Sequence, residues 1–236
     1  MKKLHQLYDG QSKIVYATDD PNAVILSFKD EAVCYGGLKR SHVDGKGAMC
    51  NRISNHLMRL LEKQGVPTHY MEELSDRDTL VKKVRLLPFA VICRNVSAGT
   101  LSTRLGIPDG TPLRESVVEF HYRSAELNDQ LVNADHISVM GWTTRPVLVQ
   151  ITELARKING ILQRVFRECE VELIDVGLEF GFTVDGELVL GDEISPDTCR
   201  LWDARTHEKL DKDRFRLDME DVGEAYEEMG RRLLGE

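Results

Sequence analysis

The chain has 236 residues, 42% of them hydrophobic, and a formal net charge of −8 at pH 7. These values predict a globular protein of one large or two small domains, and the acidic balance argues against nucleic-acid or membrane partners. The five cysteines show no CxxC or Cys/His ligand spacing, so we expect reduced thiols in a cytoplasmic protein. No apolar stretch is long enough for a signal peptide or a membrane span.

The N-terminal stretch is typical of a small antiparallel sheet. Short strands are predicted around residues 7–9, 13–16 and 24–28, with turns at Gly10 and at residues 19–22. A glycine turn followed by a lysine, here Lys13, can cover phosphates, because the backbone comes close and the ammonium supplies charge. The more common alternative is a plain hairpin with a surface lysine.

A helix is predicted over residues 48–63, where apolar residues recur at helical spacing. Short strands follow at residues 81–84 and 90–93. We place a domain junction between them, with a β-rich lobe over residues 1–86 and an α+β lobe over residues 87–236. Ligand pockets favour domain interfaces, so this junction is a candidate site for a nucleotide base.

Residues 94–101 follow the second of these strands directly. A turn of small residues that opens a helix offers free backbone N–H groups to an anion. Arg94 and Arg104 flank the turn, and each guanidinium can make bidentate contacts with a phosphate. The alternative is a helix cap with two surface arginines.

The next segments are a polar loop and a long helix. Residues 127–133 form a loop that can bind a ligand, although its composition is what loops usually have. Thr144 precedes Arg145-Pro146 as a plausible helix cap, and apolar residues keep helical spacing as far as Cys169. We assign this helix to the core and give it no chemistry.

The densest chemistry lies in residues 173–200. Asp185-Gly186 between two apolar runs predicts a two-residue hairpin turn, which places Glu179 opposite Asp192 with Cβ atoms ~5 Å apart. Like charges at that distance are destabilising unless a cation joins them, and Mg²⁺ takes one or two carboxylates plus substrate phosphates. A loop one residue different brings Glu193 opposite Glu179 instead. The alternative is that this stretch is a solvated acidic hairpin with no function of its own.

A charged segment at residues 210–216 precedes the last predicted helix, whose buried face lies between residues 222 and 233. Such a segment is normally a solvated helix entrance. Because Arg200 is near in sequence, the segment can instead line a site for an anionic substrate.

Four parts of the chain, taken together, resemble the SAICAR synthetase family. The similarity runs from Leu7 to Leu233, almost end to end. The parts are residues 178–181, residues 191–197 with 200–203, residues 94–95 with 98–100, and residues 211–216. Any one of these motifs is a modest signal, whereas the set is specific.

The resemblance implies an α+β, two-lobed fold, with a small antiparallel β-rich lobe that covers ATP and a larger α+β lobe that holds substrates. It implies ATP, Mg²⁺, L-aspartate or another amine, and a carboxylated aminoimidazole ribotide. The family transfers the ATP γ-phosphate to the ribotide carboxylate, and the amine then displaces phosphate to form an amide. A homo-oligomer in the cytoplasm, with no nucleic-acid or membrane partner, is also expected.

The resemblance also implies roles for individual residues. The metal ligands would be Glu179 and Asp192, which form the catalytic set with Lys13. The nucleotide would contact Gly10, Lys13, Lys82, Glu179 and Asp192. The ribotide phosphate would be held by Arg94, Thr100 and Arg200, and Asp197 would meet the ring side. The whole predicted substrate set is Arg94, Ser97, Gly99, Thr100, Asp129, Asp197, Arg200, Lys212 and Arg216.

Several positions depart from the family pattern. They are Gln11, residues 34–37, Ala90, residues 128–130, and Gly177, which stands where the family has a lysine. These departures keep two alternatives open: a paralogous ligase for a modified ring or another amine, and a non-catalytic nucleotide-binding relative. The retained acidic pair and arginines favour an enzyme, because a decayed site has no need for both.

Overall fold

The computed structural model describes residues 1–127 and 129–235, so Asn128 of the polar loop lies outside the described residues. The strands are β1 (Lys3–Asp9), β2 (Lys13–Thr18), β3 (Ala23–Phe28), β4 (Glu31–Cys34), β5 (Lys39–His42), β6 (Tyr70–Glu73), β7 (Asp78–Lys82), β8 (Val84–Val96), β9 (Pro112–Tyr122), β10 (Leu131–Val132), β11 (Val171–Thr183), β12 (Leu188–Gly191) and β13 (Cys199–Asp203). The helices are α1 (Lys46–Lys63), α2 (Thr100–Leu105), α3 (Ala134–Val139), α4 (Arg145–Glu168), α5 (Asp213–Arg216) and α6 (Val222–Leu234). Short 3-10 turns span Tyr35–Gly37 and Ala125–Leu127.

The N-terminal strands form the predicted small antiparallel sheet, in the order β1-β2-β3-β7-β6. The turn between β1 and β2 closes where the N–H of Gly10 donates to the carbonyl of Lys13 at 2.9 Å. A Cβ on Gly10 would lie 3.0 Å from that carbonyl oxygen, so the tight turn favours glycine. The turn places Lys13 at the start of β2.

The second sheet has the order β10-β9-β8-β11-β12, with β13 paired to β11. Helix α4 packs on it with Ile151, Ala155 and Ile158 fully buried, at the helical spacing that the sequence predicted. These side chains join one core cluster with Val91 of β8 and Phe180 of β11. Antiparallel sheets with helices packed on them confirm the predicted α+β class.

The chain passes between the two sheets at Lys83, which lies between β7 of the first sheet and β8 of the second. The predicted boundary between residues 86 and 87 falls inside β8, and it stays a prediction. The first strand predicted around this junction, residues 81–84, covers the end of β7, Lys83 and the first residue of β8, and the second, residues 90–93, is the middle of β8.

The predicted register of the acidic hairpin is wrong. Glu179 pairs with Gly191 and Phe180 with Leu190, so neither Asp192 nor Glu193 stands opposite Glu179 in the ladder. The turn holds three residues, 184–186, because the N–H of Thr183 bonds to the carbonyl of Glu187 at 3.0 Å. Asp-Gly serves either loop length, since a glycine at φ +82° also closes a three-residue hairpin.

A bulge in β8 lies beside Glu179. Glu179 pairs with Ala90, but Gly181 pairs with Leu86, so the register shifts around Pro88. Proline has no N–H to give to the ladder, and bulges are where a sheet tolerates it. The carbonyl of Pro88 accepts instead from the N–H of Arg123 at 3.0 Å, which anchors Arg123 near Glu179.

All the cysteines are free, and Cys34, Cys50, Cys93 and Cys199 are buried. This agrees with the expectation of reduced, structural thiols. Within residues 1–127 and 129–235, no helix has the length and apolarity needed to cross a membrane.

Candidate active site

A cavity of about 1210 Å³ collects most of the predicted site residues. Its walls come from both sheets and from the segments that follow β12 and β13. The predicted residues that line it are Gly10, Lys13, Lys82, Arg94, Thr100, Asp129, Glu179, Asp192, Asp197, Arg200, Lys212 and Arg216. Ser97 and Gly99 are not among its lining residues.

One end of the cavity, which we call the acidic end, consists of Glu179, Asp192, Glu193 and the cations beside them, Lys13 and Arg123. The Lys13 ammonium lies 2.6 Å from both Asp192 Oδ1 and Glu193 Oε1. Asp192 follows the last residue of β12 with a left-handed φ of +56°, so the chain turns out of the ladder there. The carboxyl of Glu179 still lies close enough to Asp192 for the charge of Asp192 to raise its pKa, although their backbones are not paired.

The protonation of this pair shows an excess of buried negative charge. Burial and then the charge of Asp192 raise the pKa of Glu179 to about 8, against the opposing charge of Arg123. Burial alone would raise the pKa of Asp192 too, but Lys13 holds it below its ordinary value. The pair therefore retains a proton near neutral pH, which is the arrangement that a divalent cation displaces.

The other end of the cavity, which we call the arginine end, is built around Arg94. Its guanidinium, 1% exposed, donates from Nε to Glu119 at 2.7 Å, from Nη1 to Asp175 at 3.2 Å and from Nη2 to Thr100 at 3.1 Å. Burial alone would raise the pKa of Glu119, but hydrogen bonds from His121 and Arg94 lower it to about 2. The three hydrogen bonds that Arg94 donates fix the plane of its guanidinium.

Arg200 reaches the same place from β13. It donates from Nη1 to Asp175 Oδ2 and from Nε to Asp213 Oδ2, both at 2.7 Å. Burial opposes its charge, yet Asp175 and Asp213 together raise the pKa of Arg200. Since Arg94 and Arg200 share one oxygen of Asp175, the structure brings the predicted phosphate-binding arginines together.

Gly99 and Ser97 shape this end from behind. A Cβ on Gly99, which has φ +56°, would lie 2.7 Å from Nη2 of Arg200, so glycine leaves the room that the guanidinium fills. The Ser97 hydroxyl donates to the Pro108 carbonyl at 2.5 Å and accepts from the Thr111 N–H at 3.0 Å. The structure thus gives Ser97 a part in holding its loop, and its predicted ligand contact stays a prediction.

Asp197, Lys212 and Arg216 line the cavity near the arginine end. Lys212 Nζ lies 4.0 Å from Asp197 Oδ2, and Arg216 Nη1 lies 2.5 Å from Asp213 Oδ1. Burial opposes the ionisation of Asp197, but Lys212 and then Lys46 keep the pKa of its carboxyl far below the ordinary range. Asp197 is therefore a permanent anion among cations.

The last two predicted residues lie at the rim. The side chain of Lys82 is 39% exposed, and its ammonium is 3.4 Å from Glu187, so it stays available at the end of β7. The Asp129 carboxylate accepts from the N–H of Ser124 at 2.9 Å, and the Asp129 carbonyl bonds to His121 at 3.0 Å. Asp129 thus closes its loop next to the cavity.

Several residues of the site were not predicted from the sequence. Asp175 had a usable signal, because it alternates with Gly177 and Glu179 along β11 and so lies on the same face. Arg123, Lys46 and Tyr226 had none, since each reaches a site carboxylate through contacts distant in sequence.

The fold and the site together define an ATP-dependent ligase. A family model described as SAICAR synthetase matches residues 6–233, and the chain belongs to that family. A phosphoribosylaminoimidazole-succinocarboxamide synthase of Lachnoclostridium phytofermentans is 49% identical over 233 residues, 99% of each chain.

Solved structures agree. The phosphoribosylaminoimidazole-succinocarboxamide synthase of Ehrlichia chaffeensis superposes with a TM-score of 0.95 at 42% identity, over 98% of both chains. A SAICAR synthetase in complex with ADP has a TM-score of 0.94 at 40% identity, over 97% of both chains. The predicted fold, family and ligase class are confirmed, and these comparisons give no support to a paralogous ligase or a non-catalytic relative.

Proposed function

We propose that the protein joins the carboxylate of carboxyaminoimidazole ribotide to the amine of L-aspartate, at the expense of ATP. The ribotide carboxylate oxygen attacks the γ-phosphorus, ADP leaves, and an acyl phosphate results. The aspartate amine then attacks the acyl carbon, phosphate leaves, and the amine loses a proton. The observation that carries the proposal is one cavity with a buried acidic pair at one end and fixed arginines at the other.

The acidic end fits Mg²⁺. Glu179 and Asp192 would hold the ion, which supplies positive charge to the ATP phosphates. The chain's own contribution is Lys13, whose charge is permanent because Asp192 and Glu193 raise its pKa against burial. Lys13 would therefore contact the phosphates while its carboxylate partners keep its position.

The nucleotide base fits the N-terminal side of the cavity. Apolar side chains of the first sheet, Val15, Val24, Leu26 and Val81, line the cavity there. Flat apolar walls with a few polar groups are typical of base-binding pockets. Gly10 would let the backbone come close to the phosphates, and Lys82 would lie along the base.

The arginine end would hold the ribotide phosphate with Arg94, Arg200 and Thr100. A guanidinium presents five N–H donors, and the carboxylates behind each arginine use only some of them. The remaining donors are oriented before the ligand arrives, so little side-chain entropy is lost on binding. Asp197 would accept hydrogen bonds from the ring side, and Lys212 and Arg216 would supply charge for substrate carboxylates.

Location, assembly and the domain boundary keep the status of predictions. We expect a cytoplasmic homo-oligomer whose ATP lobe ends near residue 86.

The direct test measures ADP release and the mass of the product with ATP, Mg²⁺, L-aspartate and the ribotide carboxylate, omitting each in turn. We expect ADP release and an aspartyl amide only with the complete mixture. ADP release that requires another amine or another acceptor would overturn the substrate assignment. Nucleotide binding without turnover for any pair would overturn the activity.

A further inference from the structure

A buried cation and a buried phenol contact one carboxylate of the site. The Lys46 ammonium lies 2.6 Å from Asp197 Oδ2, and the Tyr226 hydroxyl donates to Asp197 Oδ1 at 2.6 Å. Lys46 and Tyr226 are each 1% exposed. Asp197 lines the cavity, whereas Lys46 and Tyr226 are not among its lining residues.

Lys46 occupies a place that local rules disfavour. It is the first residue of α1, directly after Gly45, which has φ +77°. The N-terminal end of a helix carries partial positive charge, so a cation there is unfavourable, and burial of an ammonium adds a desolvation cost. The contact with Asp197 is what offsets both costs.

The two contacts together leave the Asp197 carboxylate little freedom. Oδ2 forms an ion pair with Lys46 on α1 and has Lys212 at 4.0 Å, whereas Oδ1 accepts from Tyr226 on α6. Helices α1 and α6 pack against each other. The backbone N–H of Asp197 is also fixed, because it donates to Ser195 Oγ at 3.1 Å. An ionised carboxylate has about four acceptor sites, so lone pairs remain for a ligand in the cavity.

We propose that Lys46 and Tyr226 are positioning residues, which lock the Asp197 carboxylate so that its free lone pairs accept hydrogen bonds from the ribotide. The inference rests on the proposed function, because it takes the ribotide as the ligand of Asp197. It extends the site to the C-terminal helix, α6, although none of the residues that line the cavity lies on that helix. Tyr226 acts through Asp197 and does not touch substrate.

The test is Tyr226→Phe, which removes one hydroxyl and keeps the ring that packs with Val24, Leu26 and Val81. We expect the KM for the ribotide to rise roughly 3- to 10-fold, the range that one hydrogen bond supplies, with the KM for ATP unchanged. In an Asp197→Asn background the same substitution should change the ribotide KM by less than about 2-fold, since the two residues act as one unit.

Tyr70→Phe is the matched control, because Tyr70 lies on β6 outside the cavity wall and its hydroxyl accepts a long hydrogen bond from Arg59, at 3.4 Å. It should leave both KM values unchanged. If the wild type is active and Tyr226→Phe leaves the ribotide KM unchanged, the inference is overturned but the proposed function is not. The same holds if both KM values rise together, or if the effect persists undiminished with Asn at position 197. A wild type without ADP release overturns the proposed function as well.

Discussion

The two ends of the cavity treat charge in opposite ways. At the acidic end, burial and the nearby charge of Asp192 raise the pKa of Glu179 to about 8. At the arginine end, Arg94 and Arg200 each donate to two carboxylates, and Asp175 serves both. The acidic end therefore has more carboxylate charge than its cations compensate, whereas the arginines of the other end are already paired with carboxylates.

The difference separates binding from stability. Glu179 at the acidic end is largely protonated near neutral pH, so a neutral replacement there should harm the reaction but not the fold. Removing a charge at the arginine end leaves buried partners unpaired, so it should harm both. Substitutions at the two ends of the cavity test that contrast.

The largest expected effect is that of Glu179→Gln. Turnover should fall by on the order of 10³-fold or more, because a proposed metal ligand is lost. The unfolding temperature near neutral pH in the presence of a chelator should change little, because the raised pKa already leaves Glu179 largely uncharged. Initial rates of ADP release and thermal unfolding measure the two quantities.

Glu187→Gln is the control for that variant, since Glu187 lies on the same hairpin with a side chain 52% exposed. It should keep near wild-type turnover. A strongly destabilised Glu179→Gln protein would contradict the contrast between the two ends.

Arg200→Lys should come next. A lysine cannot reproduce the fork that meets Asp175 and Asp213, so the ribotide KM should rise about 10- to 100-fold and the unfolding temperature should fall. The KM for ATP should change little. Arg205→Lys, at a side chain 73% exposed, is the control and should alter neither quantity. Loss of ATP affinity with unchanged ribotide affinity would show that the ends are assigned the wrong way round.

Glu119→Gln tests the arginine end by pH. The pKa of Glu119 is about 2 in the folded protein against an ordinary 4.5, so its stabilising effect is fully present above pH 4.5 and is lost as pH falls through about 2. Near pH 7 the free energy of unfolding of the wild type should exceed that of the variant by on the order of 3 kcal/mol, as calculated from the difference between those pKa values. Denaturant titrations at pH 7 and pH 3 should show that gap narrowing, and a constant gap would contradict the assignment.

The smallest effect is expected for Gly177→Ala, midway between the ends. A Cβ there meets only the Thr198 carbonyl, at 3.5 Å, so the strand should be as stable or gain up to about 1 kcal/mol. The ribotide KM should rise by no more than roughly 10-fold, the low end of what one methyl group is worth in discrimination, because the added Cβ makes an ordinary van der Waals contact. Gly181→Ala is the contrast, since its Cβ would lie 2.5 Å from the Arg85 carbonyl and should destabilise the protein.

Helix α4 and the acidic hairpin show how far sequence reasoning reached. Apolar spacing located α4 and its buried face, because a helix repeats its own face every few residues regardless of its partners. The hairpin was found, but its register was not, because Asp-Gly fits turns of two and of three residues. Glu179 and Asp192 nevertheless interact, since the charge of Asp192 raises the pKa of Glu179 although the two residues are not paired in the ladder.

The sequence by itself determined the long helices, the family and the types of charged residue that the site would use, because these follow from local spacing and from motifs. Only the tertiary structure decided which charges are paired. Asp175 joins two arginines, Lys46 and Tyr226 hold Asp197, and Arg123 reaches Glu179. The strength of each pair depends on burial and on distance across elements far apart in the chain, and neither quantity is written in local sequence.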